Sequence, residues 1–356
     1  MTFARLSSAL GSLLLATSAA VAQSPSRADS LPAIDELHLL GDISALAADS
    51  MEGRRAGTPG GARARAFLVR EFMRIGLAPL VKGYQSQFSA RSPFYTSDPA
   101  VRPLTPPSRP NNGFGDKRTR PMMAGDTFPE AQRPLVYGTN LLGIVKGTAH
   151  PERYIVVSAH YDHLGVRNGA IYPGADDNAS GSAALIGIAQ WTIAHPPQNS
   201  IVFAWFDGEE SGLLGSKSFV ERNVVPLDRI IADVNLDMVS RSVSGELNVI
   251  GARHWPVMQP LIDSLAKVSL VTLRQAHEGG PESDDWTHRS DMGPFADKGI
   301  PFVSFDVDES VDYHRPSDVV EHIQPLFYYR SVRTIAEFLR RLDIALDGVA
   351  RVRQGR

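Results

Sequence analysis

Apolar residues along this chain follow two different periods. Leu37, Leu39, Leu40, Ile43, Leu46 and Ala47 recur at helical spacing and predict a helix at the start of the folded region. The polar, glycine-rich residues 51–60 break that pattern as a loop. Residues 64–75 resume it, with Phe67, Leu68, Phe72 and Ile75 on one face and Gly76 as a stop. Beyond residue 139 the apolar residues fall into short blocks rich in β-branched and aromatic side chains, at 140–145, 154–159, 201–206, 230–236, 246–250 and 302–305. Such blocks predict buried strands. Helical patterns at 182–194, 212–220, 255–268 and 326–346 fall between and after them. Strands alternating with helices predict an α/β fold, a mostly parallel mixed sheet covered by helices on both faces. No internal repeat is visible, and residues 34–350 read as a single domain. Residues 81–135 carry no apolar period and are crowded with prolines. They are expected to form a surface excursion, either an extended rim or a disordered stretch.

Composition narrows the chemistry. The chain has 356 residues, a formal net charge of -3 and 43% hydrophobic residues. That charge, with no basic runs, argues against a nucleic acid or an acidic membrane surface as partner. There is no cysteine, which excludes disulfides, a thiol nucleophile and thiolate metal ligands. Any metal must be held by histidine and carboxylate. At the start, Arg5 precedes a short apolar run centred on Leu13-Leu14-Leu15, and Ala20-Val21-Ala22 follows. This pattern predicts a signal peptide over 1–22, export to the periplasm or medium, and a flexible leader over 23–33. No second long apolar segment follows, so no stable membrane insertion is expected.

Polar side chains of ligand type gather just past the predicted strands. His160 follows one block, Glu209 and Glu210 follow another, and Asp237 ends a third, with Asp177 and His314 in glycine- and proline-marked loops. Each has an ordinary explanation alone, as a helix cap or a solvated charge. Together, His160, Asp177, Glu210, Asp237 and His314 form a candidate ligand set, because carboxylates at buried strand ends need compensating charge. Two divalent cations balance three carboxylates and one hydroxide, so the set suits two ions, with one carboxylate shared between them and positions left open for water and substrate. Glu209, beside a ligand but not needed as one, is placed to move a proton. Asp162, two residues from His160, can orient its imidazole.

These residues sit in ordered motifs: His160-Tyr161-Asp162-His163, the run from Gly174 to Gly181, the run from Asp207 to Ser216, Asn235-Leu236-Asp237-Met238, and the run from Tyr313 to Asp318. An earlier segment reads Glu52-Gly53-Arg54-Arg55-Ala56-Gly57-Thr58-Pro59-Gly60. Over about residues 35–345, apart from the proline-rich excursion, the chain resembles the co-catalytic di-zinc aminopeptidases, the twenty-eighth metallopeptidase family. The resemblance implies that Asp177 bridges two zinc ions. His160 and Asp237 would complete one site, and Glu210 and His314 the other. It also implies Glu209 as general base toward a bridging hydroxide, peptides as substrates and a cis peptide between Asp177 and Asn178. Met292 departs from the Ser-Asp-His segment usual in the family, which puts local substrate contacts in question. The same scaffold hosts carboxypeptidases, dipeptidases and glutaminyl cyclases. A non-catalytic binding protein or a metal-dependent esterase or amidase is a further alternative.

Overall fold

The computed structural model describes residue 1 and residues 31–93, 133–280 and 284–354. The expected signal peptide, most of the leader and most of the proline-rich excursion lie outside them. Helices α1 (Glu36–Leu46) and α2 (Pro59–Ile75) come first. Asp35 caps the first, its side chain accepting from the His38 N–H. Thr58 caps the second, which ends at Gly76 in the left-handed conformation. The strands are β1 (Ala78–Pro79), β2 (Gln85–Arg91), β3 (Leu135–Val145), β4 (His150–His160), β5 (Gly165–Arg167), β6 (Ala170–Tyr172), β7 (Asn199–Phe206), β8 (Ile230–Asp237), β9 (Glu246–Ile250), β10 (Thr272–Gln275) and β11 (Phe302–Asp306). Between and after them run α3 (Gly181–Ala194), α4 (Leu214–Glu221), α5 (Gln259–Ala266), α6 (Met292–Ala296) and α7 (Pro325–Gln354).

Nine strands form one sheet in the order β1-β3-β7-β4-β8-β11-β9-β10, with β2 also on β3, while β5 and β6 make a separate hairpin. The four central strands β7, β4, β8 and β11 run parallel. The β3 and β9 neighbours are antiparallel to them. This is the mixed sheet that the alternating pattern predicts, parallel through its centre and with as many antiparallel as parallel pairings overall. Side chains divide between its faces by parity, as the strand repeat of two requires. Ile155, Val157, Phe203, Trp205, Val234 and Leu236 enter the larger core with α1, α2, α3, α5 and α7. Val156, Val202, Ala204 and Phe206 enter a smaller core with α4 and α6.

Part of the expected excursion is sheet. Residues 85–91 pair antiparallel along β3, from Gln85 opposite Leu141 to Arg91 opposite Leu135. Of this strand only Phe88 is buried. An edge strand with one core side chain has no apolar period to read, so its place is set by backbone pairing instead.

Candidate metal centre

Register brings the strand-end ligands together. Ser158 on β4 pairs with Asn235 on β8, so His160 and Asp237 emerge two residues later at one level of the sheet. His160 Nε2 lies 3.2 Å from Asp237 Oδ1 and 3.4 Å from Asp177 Oδ1. His160 also pairs with Phe206, the last residue of β7, so the turn carrying Glu209 and Glu210 starts beside it. These are the carboxyl ends of parallel strands, where open α/β sheets place ligands.

Asp177 stands between two groups of donors. Its Oδ1 faces His160, whereas its Oδ2 lies 3.1 Å from His314 Nε2 and 3.8 Å from His163 Nδ1. Glu210 Oε1 lies 3.2 Å from His314 Nε2 and 2.9 Å from His163 Nδ1. The structure thus brings together all five expected ligands and adds His163. Apart from the partly exposed His314, these side chains are buried. The donor atoms of His160, Asp177 and Asp237, and those of His163, Asp177 and Glu210, lie close enough to hold one ion each. The peptide between Asp177 and Asn178 is cis, as the resemblance implies.

The donor set fits divalent metal. Both nitrogens of the buried His163 lack a hydrogen-bond partner among the described residues. Buried polar atoms are rarely left that way unless an ion or water completes them. The electrostatics agree. Burial opposes charge on His160, yet Asp237 and Glu209 beside it outweigh burial and hold its pKa well above the ordinary histidine value. Burial likewise works against His314, but Glu210 and Asp177 raise its pKa to about 10. Burial alone would raise Glu210, but His314 and His163 hold it well below the ordinary range. The carboxylates demand positive charge here, which protons supply on the histidines and metal ions supply better.

Several residues hold the candidate ligands in place. The Asp162 main-chain carbonyl lies 3.0 Å from His160 Nδ1, closer than the Asp162 carboxylate, whose Oδ1 is 3.7 Å away. That carboxylate oxygen instead accepts from the Glu209 N–H at 3.0 Å. One residue therefore orients a ligand through its backbone and carries the candidate base on its side chain. Asp318 accepts from the N–H groups of Asp176 and Asp177 at 2.9 and 3.1 Å. Asn178 donates to the Leu236 carbonyl, and its Oδ1 accepts from Gly181 and Met238.

Arg54 is the largest such support. Its guanidinium is fully buried and donates to the carbonyls of Leu46, Tyr161, Pro173 and Gly174. Burial lowers its pKa to about 10, against the pull of Asp318, Asp177, Asp162 and Glu210, so it stays charged. Gly53 before it has φ 63°, and a Cβ there would meet the Tyr172 carbonyl oxygen at 2.3 Å, so that turn requires glycine. Arg54 and Asp318 both lie in motifs visible in the sequence, but their roles are set by backbone groups far along the chain, which no spacing encodes. Met292 is turned into the core, with its sulfur 3.7 Å from Asn235 Nδ2. The departure there changes packing beneath β8, not a surface open to substrate.

The model of peptidase family M28 matches residues 140–339, more than half of the chain. The chain belongs to this family. Its catalytic scaffold is therefore that of a hydrolytic metallopeptidase. Among similar proteins, aminopeptidase YwaD of Bacillus subtilis is 32% identical over 197 residues, covering 52% of this chain and 40% of YwaD. A probable glutamate carboxypeptidase, VP8 of Zea mays, is 33% identical over 251 residues, covering 64% of this chain and 33% of the relative. The chain spans less than half the length of these relatives. In fold it is similar to a zinc aminopeptidase of Bacillus subtilis (TM-score 0.62, 19% identity, 87% of this chain and 96% of that one). It is also similar to Porphyromonas gingivalis glutaminyl cyclase (TM-score 0.60, 16% identity, 86% and 98%). Among the described residues, no helix is long and apolar enough to cross a membrane.

Proposed function

We propose that the chain is a two-zinc aminopeptidase that removes the N-terminal residue from peptides. The observation carrying this reading is the position of Asp177, whose two oxygens face separate groups of donors. His160, Asp177 and Asp237 would hold one ion, and Asp177, Glu210 and His314 the other. When bound, the ions polarise the scissile carbonyl and let water ionise near neutral pH. Glu209 accepts the proton from the attacking water and returns it to the leaving amine. Asp162 fixes the backbone of Glu209 and the ring of His160, so base and ligand keep one spacing. Export in a processed form, read from Arg5 to Ala22, belongs to the same proposal, and sequencing of the mature N-terminus tests it.

Aminopeptidase YwaD and the zinc aminopeptidase fold support the choice of substrate end. The test compares amino-acid anilides, their acyl-blocked forms, C-terminally free dipeptides and N-terminal glutaminyl peptides. Activity confined to free amines supports the reading. Cleavage of blocked substrates from the carboxyl end, or cyclisation of glutamine, would sink it. Within the same assay Glu209→Gln lowers kcat by roughly 10²–10⁴ while the metal content stays at the wild-type level.

A further inference from the structure

His163 stands outside the ligand set used above, yet its position matches that of His314. Its Nδ1 lies 2.9 Å from Glu210 Oε1 and 3.8 Å from Asp177 Oδ2. His314 Nε2 approaches the same two oxygens at 3.2 and 3.1 Å. The two rings meet edge to face with centroids 5.8 Å apart. His163 is fully buried, and neither of its nitrogens makes a hydrogen bond among the described residues. The short approach to Glu210 is therefore off the line that a hydrogen bond needs. Leaving an imidazole buried in that state is costly for each unmet group. A cation lying between Nδ1, Oε1 and Oδ2 removes the cost for the nitrogen that faces the centre. The space for the ring is kept open by Gly174, where a Cβ would come within 2.5 Å of His163 Cγ and Cδ2. The carbonyl of Gly174 is in turn held by Arg54.

We propose that His163, through Nδ1, is a fourth protein ligand on the Glu210–His314 side of the centre. This rests on the two-ion reading above and adds an asymmetry to it. His160, Asp177 and Asp237 make a three-ligand site with open positions. His163, Asp177, Glu210 and His314 make a closed four-ligand site of the kind that retains zinc tightly. The open positions for water and substrate then belong to the His160–Asp237 side.

The test is chelator-competition titration of the metal-free full chain with Zn2+, for wild type, His163→Ala, His163→Asn and His160→Ala. The expected wild-type result is two ions with affinities at least about tenfold apart. His163→Ala should weaken the tighter ion by at least about tenfold and leave the weaker one unchanged, and His160→Ala should do the reverse. His163→Asn should behave as His163→Ala. An asparagine can hydrogen-bond Glu210 but replaces an imidazole ligand poorly, so wild-type affinity in that variant means that His163 only orients Glu210, and the proposal falls. It falls equally if His163→Ala keeps both wild-type affinities. X-ray absorption of the di-zinc wild type needs no variant: three imidazoles shared between two ions support the proposal, and two overturn it. Fewer than two ions in wild type would instead overturn the two-ion reading itself, a distinguishable result.

Discussion

The two sides of the metal centre are built in different ways. On the His160–Asp237 side, both candidate ligands are the last residues of parallel neighbours, and the register of β4 on β8 places them. On the Glu210–His163–His314 side, every candidate ligand lies in a loop. His314 has φ 54° and stacks on Tyr313 at 3.9 Å. Glu210 and His163 lie past strand ends, the first in a turn held by the Asp162 carboxylate, which accepts from the Glu209 N–H, and the second in a turn held by Arg54, which donates to the Tyr161 carbonyl. Sheet register is enforced by many cooperative backbone bonds and by the buried face. Loop geometry depends on a few hydrogen bonds, several of them charge-assisted. The first side should therefore resist single substitutions outside the candidate ligands, and the second should be sensitive to them.

Asp177→Ala joins the two sides in one failure. It should remove both ions and abolish hydrolysis, read by elemental analysis together with the anilide assay. A variant that keeps both ions would refute the bridging role. Arg54→Met should separate the sides. It strands four carbonyl oxygens and removes the buried charge among the acids, costing at least about 3 kcal/mol in denaturant unfolding. Zinc affinity should fall more on the Glu210 side than on the His160 side, and an equal fall on both would break the contrast drawn here.

The pH dependence sharpens the same contrast. In the metal-free state His314 titrates at about 10, so at pH 7.5 it carries a proton that zinc must displace. His160 is raised in the same direction. Zinc affinity should therefore rise with pH from neutrality toward about 10, with about two histidine protons released on filling both sites. Calorimetry in buffers of different ionisation enthalpy measures that release, and buffer-independent heats would contradict it. The smallest effect is expected at Asp233, mid-strand in β8 and remote from the ligands. Burial holds its carboxyl well above the usual range, against one hydrogen bond from Ser158. Burial disfavours the charged form of this carboxyl, so Asp233→Asn should change stability by less than about 1 kcal/mol. A larger loss in thermal unfolding would show that the acid is charged.

Which of these features the sequence discloses follows the same division. Strands 201–206 and 230–236 are legible because parallel strands buried on both faces read as continuous apolar runs, and a ligand-type residue beside such a run is conspicuous. Strand β2 is not legible, since only Phe88 along it is buried. The hairpin of β5 and β6, too, has only three residues in each strand, too few to show a period. His163 is plainly present in its motif, but a lone histidine three residues beyond a strand gives no sign of which carboxylate it faces. The same holds for Arg54, whose four acceptors come from residues as far away as Gly174.

By itself the sequence determined the fold class, the absence of any thiol chemistry, the family, and the five ligand-type residues with a glutamate beside them, because each of these is written in local periodicity, residue type or ordered motifs. Only the tertiary structure decided that Asp177 turns one oxygen to each side, that Asp162 works through its carbonyl as well as its carboxylate, that Met292 belongs to the core, and that His163 joins His314 over the same two oxygens. Apart from the Asp162 carbonyl beside His160, those are relations between residues 14 to 151 positions apart. They depend on sheet register and on a buried guanidinium, which fix distances that chain spacing leaves free.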